Sequence, residues 1–537
     1  MMTFPWTFTR RARRLALLLT PLLVVGQGCT DLTETPNDAL TPENAFKTEA
    51  EVLAGVAAVY ADLRGVQFVG YLTLNELTTD AMIVPTRGND WGDNGRWLEI
   101  HRQTWTANSS SALDDMNGAW NTLFGGIAKA NLMIGVIEKA GGTTAPRTLA
   151  ELRTLRAWYY YMLQDLFGGV PLVTSTELKQ NPRATRTEVF AFIEKELKES
   201  RAALPDKWPA GGYGRVTQGV ADAILASLYL NAGVFSKNDG VSATSYNSCN
   251  VQVSGAITGC QAAINAADAV INSGVFSLNP TWKKNFSIDN EGSPENIFVV
   301  VHTSAQALGG NFPMRTLHYS QLSTGWGGPW NGFATLAETY QAFLPTDERR
   351  GMWLAGQAFS FETGLPVNDR TGSPLMFNPV IANAEAAGEG DGVRFNKFPP
   401  LPNAPSGNGH PNDFPFFRLA EMYLIKAEAL NELGQTGAAI TEINRIRALH
   451  FTPPNPISAG LSQAQVRDAI LLERLLEFTG EGKRRSDLIR HGKFLNQWST
   501  TMANGKVSKI GEPFRILMPI PATQIGANPL LTQNPGY

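Results

Sequence analysis

Several stretches of this chain repeat apolar residues at steps of three and four, a period that suits packed helices. In TLAELRTLRAWYYYMLQDLF, Leu149, Leu152, Leu155, Tyr159, Met162, Leu163 and Leu166 fall on one face. Thr148 followed by Glu151 reads as a capping box that satisfies the first free N–H groups of that helix. VTQGVADAILASLYLNAG repeats the pattern through Val220, Ile224, Leu225, Leu228 and Tyr229. Further helices are predicted over 48–64, over 114–139 and from Cys260 onward. FRLAEMYLIKAEALNELGQTGAAITEINRIRAL reads as two helices hinged at Gly434, with Ala427, Ala429 and Ala439 small enough for close packing. A last helix opens on a capping box, Ser462 with Gln465, and runs through VRDAILLERLLEFTG. The C-terminal pair looks like a tetratricopeptide unit, whose hairpins stack into a solenoid. No regular repeat of about 34 residues is visible, so any solenoid is interrupted. The expected fold is therefore mainly α, built from helix pairs.

The periodicity lapses between about residues 275 and 412, a stretch rich in Gly, Pro, Asn and aromatics that includes STGWGGPWNGF and LPNAPSGNGHPND. So long an irregular region inside a folded chain reads as a functional insertion. Residues 512–537 are punctuated by prolines and predicted to lie extended over the helical body. The glycines of LFGGVPL follow a helix, not a strand, so they read as its stop, and Pro171 prevents its resumption.

The N-terminus has a different design. Arg10, Arg11, Arg13 and Arg14 precede an apolar run from Leu15 to Val25, too short to span a membrane but suited to an export signal. VVGQGC closes it at Cys29, which resembles a lipobox whose thiol is acylated after cleavage at residue 28. Export implies an oxidising compartment, so a disulfide between Cys249 and Cys260 is the favoured reading, contributing about 2–3 kcal/mol. Removing residues 1–28 takes four arginines and no acid, moving the formal charge from −3 to −7. No basic footprint for nucleic acid remains.

Signatures of catalysis are missing: there is no G-x-S-x-G, no H-E-x-x-H and no P-loop. The six histidines are dispersed without metal-ligand spacing, and no cofactor motif is found. ERLLEFTGEGKRRSDLIRHGK reads as a charge network fixing a helix corner, its acids pairing with arginines across the Gly480 turn. PTRGNDWGDNGRW lacks the ligand order of a calcium loop. It reads instead as a turn-rich loop displaying Trp91 and Trp97 beside Arg87 and Asp90. Tryptophan faces stack on sugar rings and flat apolar surfaces, while neighbouring polar groups fix orientation. A second aromatic group, Tyr319, Trp326, Trp330 and Phe333, falls in the insertion, and the two together suggest a composite ligand platform.

Six segments in this order resemble the SusD/RagB family of nutrient-binding outer-membrane lipoproteins. They are GCTDLTETPNDALTPENAF, LRAWYYYMLQDLFGGVPLV, GRVTQGVADAILASLYLNAG, FFRLAEMYLIKAEALNELG, ERLLEFTGEGKRRSDLIRHG and LMPIPATQIGANPLLTQNPGY. The resemblance implies four tetratricopeptide-like helix pairs and a looped subdomain carrying the ligand site. The corresponding division is a signal at 1–28, a helical region at 29–274, the ligand-binding subdomain at 275–412, and helices with a tail at 413–537. It also implies a lipid-anchored, surface-exposed protein that captures a glycan or peptide nutrient without converting it and passes it to a SusC-like TonB-dependent transporter. By position, the RGNDW loop and the Tyr319–Trp330 segment resemble the family's ligand contacts. A glycoside hydrolase and a tetratricopeptide-type adaptor are the competing readings.

Overall fold

The computed structural model describes residues 45–68, 70–238, 240–253, 255–305, 308–323, 328–497 and 511–537. The export signal, Cys29 and Trp326 lie outside the described residues. Among the described residues, nine helices of thirteen or more residues form the body. They are α1 Glu49–Phe68, α2 Ala112–Ala140, α3 Ala145–Phe167, α4 Arg186–Arg201, α5 Gln218–Leu230, α6 Gly259–Ile271, α7 Leu419–Glu432, α8 Thr436–His450 and α9 Gln463–Phe478. Each of the first eight packs on the next in chain order, and α9 rests on α7 and α8. Taken two by two, α1 to α8 make four stacked pairs, the mainly α architecture that the periodicity requires.

Helix α3 is the axis of this body, buried from Ala150 almost continuously to Phe167. That explains the run of large residues in WYYYMLQDLF. Trp158 stacks on Tyr161, while the Tyr159 hydroxyl donates to the Val59 carbonyl of α1 and the Tyr161 hydroxyl meets Ser227 of α5 at 2.7 Å. A helix buried all round must find partners for its polar tips in neighbouring helices, and this one does. The helix begins earlier than its sequence suggests. Pro146 sits in its first turn, and Thr148 lies inside the helix, donating to the Thr144 carbonyl. Glu151 does not close a capping box; it takes two hydrogen bonds from Arg215 and one from Tyr60. The Ser462–Gln465 box is formed as read, and Thr185 with Glu188 makes another.

Gly168 ends α3 with φ +77° and ψ −122°, a positive φ but not the left-handed helical geometry of the usual stop. A Cβ here would lie 2.9 Å from Leu517 of the C-terminal tail. That tail closes over the helix end: Met518 N–H donates to the Leu166 carbonyl and Asn534 to the Phe167 carbonyl.

The irregular insertion leaves the body between α6 and α7 through two buried antiparallel strands, β1 Asn296–Val300 and β2 Phe414–Arg418. The charge network of the corner differs from the sequence reading in its partners. Glu473 and Glu477 of α9 reach Arg349 of the insertion at 2.7 and 2.9 Å, and Glu477 also reaches Arg418 of β2 at 3.0 Å. Glu481 binds Lys397, while Arg484, Arg485 and Arg490 pair with Asp80, Asp165 and Glu428. Of the pairs expected across the Gly480 turn, Arg474 with Asp487 is formed. The network thus ties the insertion to the body as well as fixing a local corner. Cys249 and Cys260 are joined by a disulfide at the start of α6.

Candidate ligand-binding site

The connection between α1 and α2 carries the first Trp-bearing loop, and the insertion carries the second. A backbone bridge joins them, with Ile83 and Ala334 exchanging N–H···O bonds of 2.9 Å in both directions. Just beyond Ile83, Arg87 and Asp90 exchange backbone hydrogen bonds around Gly88, whose φ of +62° allows the tight turn. The chain leaves this turn with Trp91 at φ +59°, a conformation rare for a bulky residue and maintained by what surrounds it. The Trp91 indole N–H donates to the Trp330 carbonyl. Its ring lies over Gly332, where a Cβ would come within 2.4 Å of it.

Four aromatic rings therefore meet. Trp91 lies edge-on to Trp97 at 5.2 Å and to Phe333 at 5.9 Å, and its ring centre is 6.5 Å from that of Trp330. Exposure separates their roles. Trp330 is 40% exposed, whereas Trp97 and Phe333 are buried and form the floor. Trp97 was expected on display; instead it packs beneath Trp91, with its N–H on Asp93 and Arg96 stacked 4.7 Å from its ring.

Arg87 also differs from its expected role. It is 1% exposed and donates to the carbonyls of Asn331, Gly388 and Asp391, so it pins the loop from below and offers no donor at the surface. Burial lowers its pKa to about 10. Arg394 performs the same task from the other side, reaching the Asn331 side chain and the carbonyls of Glu389, Asp391 and Gly392.

Asp90 and Tyr319 are brought together, the tyrosine hydroxyl donating to the carboxylate. Burial, then Asp90, raises the Tyr319 pKa to about 12. Arg370, which the sequence reading did not single out, lies 4.7 Å over the Tyr319 ring and 3.3 Å from Asp90. It also binds Glu389 through its side chain and its backbone N–H. Glu389 in turn meets His318 Nε2 at 3.0 Å. Burial would raise the Glu389 pKa, but Arg370 and His318 hold it below the ordinary value. Burial lowers that of His318, against the pull of Glu389. Arg370, Glu389, His318, Asn331 and Arg394 lie in irregular sequence without periodic spacing, so nothing in the sequence marks them as one cluster.

The site is thus an open aromatic step with a saturated polar rim, flanked by a cleft of about 530 Å³ among Thr86, Gly92, Leu98, Glu99, Arg102 and Glu385. Such a surface can stack a ring and orient it by hydrogen bonds. Both carboxylates of the rim, Asp90 and Glu389, are bound to Arg370. Among the described residues, no group of three or more His, Cys, Asp or Glu could hold a metal ion.

Two family models match the chain: the SusD family over residues 294–537, and a model described as starch-binding associating with outer membrane over residues 50–230. The chain belongs to the SusD/RagB family. The SusD-like protein P2 of Formosa agariphila is 26% identical, the match covering 96% of this chain and 98% of that one. The starch-binding protein SusD of Bacteroides thetaiotaomicron is 27% identical over 75% of each chain. Among solved structures, a laminarin-binding SusD-like protein shares the fold at a TM-score of 0.68 and 23% identity, over 92% of this chain and all of the other. Surface glycan-binding protein A of Bacteroides thetaiotaomicron, in complex with laminarihexaose, does so at 0.69 and 19%, over 90% and 99%. Membership in this family makes the chain a binding protein and not an enzyme.

Proposed function

We propose that this protein captures an oligosaccharide at the cell surface and delivers it, unaltered, to a SusC-like TonB-dependent transporter in the outer membrane. One observation carries the reading: the solvent-facing Trp330 ring, whose backbone carbonyl accepts from the Trp91 indole, with Trp91 seated on a buried aromatic floor beside a polar rim. A stacking face with fixed hydrogen-bonding neighbours suits a sugar ring, which is apolar on its faces and polar around its edge. The family description as starch-binding and associated with the outer membrane supports the same assignment, as do relatives named for starch and laminarin. Cys29 is the proposed lipid anchor. Tyr319, Asp90, Trp91 and Trp330 form the contact surface, Arg87 and Trp97 support it from below, and Trp326 belongs to the same insertion segment.

Calorimetry of the mature protein against starch, β-glucan and peptide ligands tests this directly. Binding of one oligosaccharide class, lost in Trp330→Ala, is the expected result. Failure of every oligosaccharide to bind, to the protein alone and to its complex with the transporter, would remove the reading.

A further inference from the structure

We propose that this platform takes uncharged sugar chains and that Arg370 is the residue that sets the preference; the proposal rests on the glycan reading above. The observation behind it is how charge is distributed around the rings. On the Trp97 and Phe333 side, Arg96 is paired with Asp115 and Arg315 lies over Phe333. On the Tyr319 side, three guanidiniums, Arg87, Arg370 and Arg394, stand against three carboxylates, Asp90, Glu389 and Asp391. Two of the guanidiniums are buried and turned onto backbone carbonyls, where a ligand cannot reach them.

Arg370 is the exposed one, at 56% of its side chain, and its charge is already engaged. It bonds to Glu389, lies 3.3 Å from Asp90, and covers one face of Tyr319. Its position is fixed by the insertion itself. Ser320, next to Tyr319, donates to the Asn368 carbonyl, and Phe361 N–H donates to the Gln321 carbonyl, so the Arg370 segment is laced to the Tyr319 segment. His318 adds no charge near neutral pH, because burial holds its imidazole below the ordinary range.

An acidic sugar would meet a guanidinium whose charge Asp90 and Glu389 already offset, and it would either approach beside those two carboxylates or draw Arg370 away from them. A hydroxyl has no such need. It can donate to the free lone pairs of carboxylates that stay paired, while its ring stacks on Trp330. Asp93, exposed at the edge of the same loop, adds a further negative charge. Repulsion and unpairing therefore both act against polyanions.

The test is calorimetry of the mature chain with four probes at low and high salt: laminarihexaose, maltohexaose, oligogalacturonate and a sulfated oligosaccharide. The expected result is binding of a neutral chain that hardly changes with salt, and of acidic chains at least roughly tenfold weaker. Asp90→Asn with Glu389→Gln frees the guanidinium. That variant is expected to gain roughly tenfold for oligogalacturonate, in a salt-sensitive manner. Adding Arg370→Gln to it should return that affinity to its starting level, which a purely structural role would not do. Should the double variant fail to fold, Asp90→Asn alone, in which Glu389 still holds Arg370, should give a smaller gain in the same direction, again removed by Arg370→Gln. Preference of the unmodified protein for an acidic chain, or no gain in the folded variant while neutral chains still bind, overturns the proposal. Absence of binding to all four sugars overturns the glycan reading, and this one with it.

Discussion

Trp330 faces solvent because the residues around it are committed elsewhere: its carbonyl receives the Trp91 indole, its backbone N–H donates to the Met314 carbonyl, and Gly332 leaves room for the neighbouring ring. Trp330→Ala is expected to lower oligosaccharide affinity by roughly 10- to 100-fold with little change in melting temperature, as befits an exposed stacking residue. Gly332→Ala acts from underneath. Its Cβ would fall 2.4 Å from the Trp91 ring, so overpacking of about 1–3 kcal/mol should appear as a lower melting temperature together with weaker binding. At this scale the sequence was informative about residue type but not about direction. Trp91 and Trp97 stand in one loop with the same composition around them, yet Trp91 is half-buried and Trp97 is floor. Which one reaches solvent follows from Phe333 and Trp330, more than 230 residues away, and no local pattern encodes that.

The elements that hold the site are joined by buried charge, and this makes their union pH-dependent. Helix α9 grips the insertion through Arg349, Glu473 and Glu477, all without solvent exposure. Glu477→Ala removes one acid while leaving Arg349, Arg418 and His450 buried, so a loss of about 3–5 kcal/mol is expected in urea unfolding. His450 reports on the same union. Burial would lower its pKa, but Glu477 and Glu348 overcome this and push it up to about 9. The folded value lies above the unfolded value of about 6.5, so the His450 contribution is fully present below that pH. It is lost as pH rises through 9. The urea midpoint of the unmodified protein should therefore fall between about pH 6.5 and 9, and His450→Gln should flatten that slope. The helical elements themselves were legible from spacing, because one-sided burial writes itself into steps of three and four. The start of α3 was not: Thr148 and Glu151 have the form of a capping box, but Pro146 opens the helix a turn earlier and Arg215 claims the glutamate.

For the whole molecule, the disulfide and the insertion pose different questions. Cys249–Cys260 closes a separation of 11 residues at the entry to α6, and its removal by paired alanines is expected to cost about 2–3 kcal/mol without touching ligand affinity. A parallel fall in affinity would show that the loop communicates with the site. The order of the helix pairs and the position of the irregular insertion are properties of the sequence. Each depends on composition and period along a continuous segment, and burial of an apolar face selects them locally. The C-terminal tail, expected to be extended, instead carries a tight turn at Pro513–Ile516 and a short helix at Ala522–Ala527, and it is laid over α3 by tertiary hydrogen bonds. The proposed binding surface is a property of the tertiary structure alone. Asp90, Tyr319, Arg370 and Glu389 come from separated stretches of irregular chain, and they meet because Ile83 pairs with Ala334 and because Arg87 and Arg394 draw the 388–392 carbonyls inward. Hydrogen bonds between distant loops leave no period in a sequence, so the helical scaffold was legible in it, while folding decided which of the expected aromatic rings faces solvent.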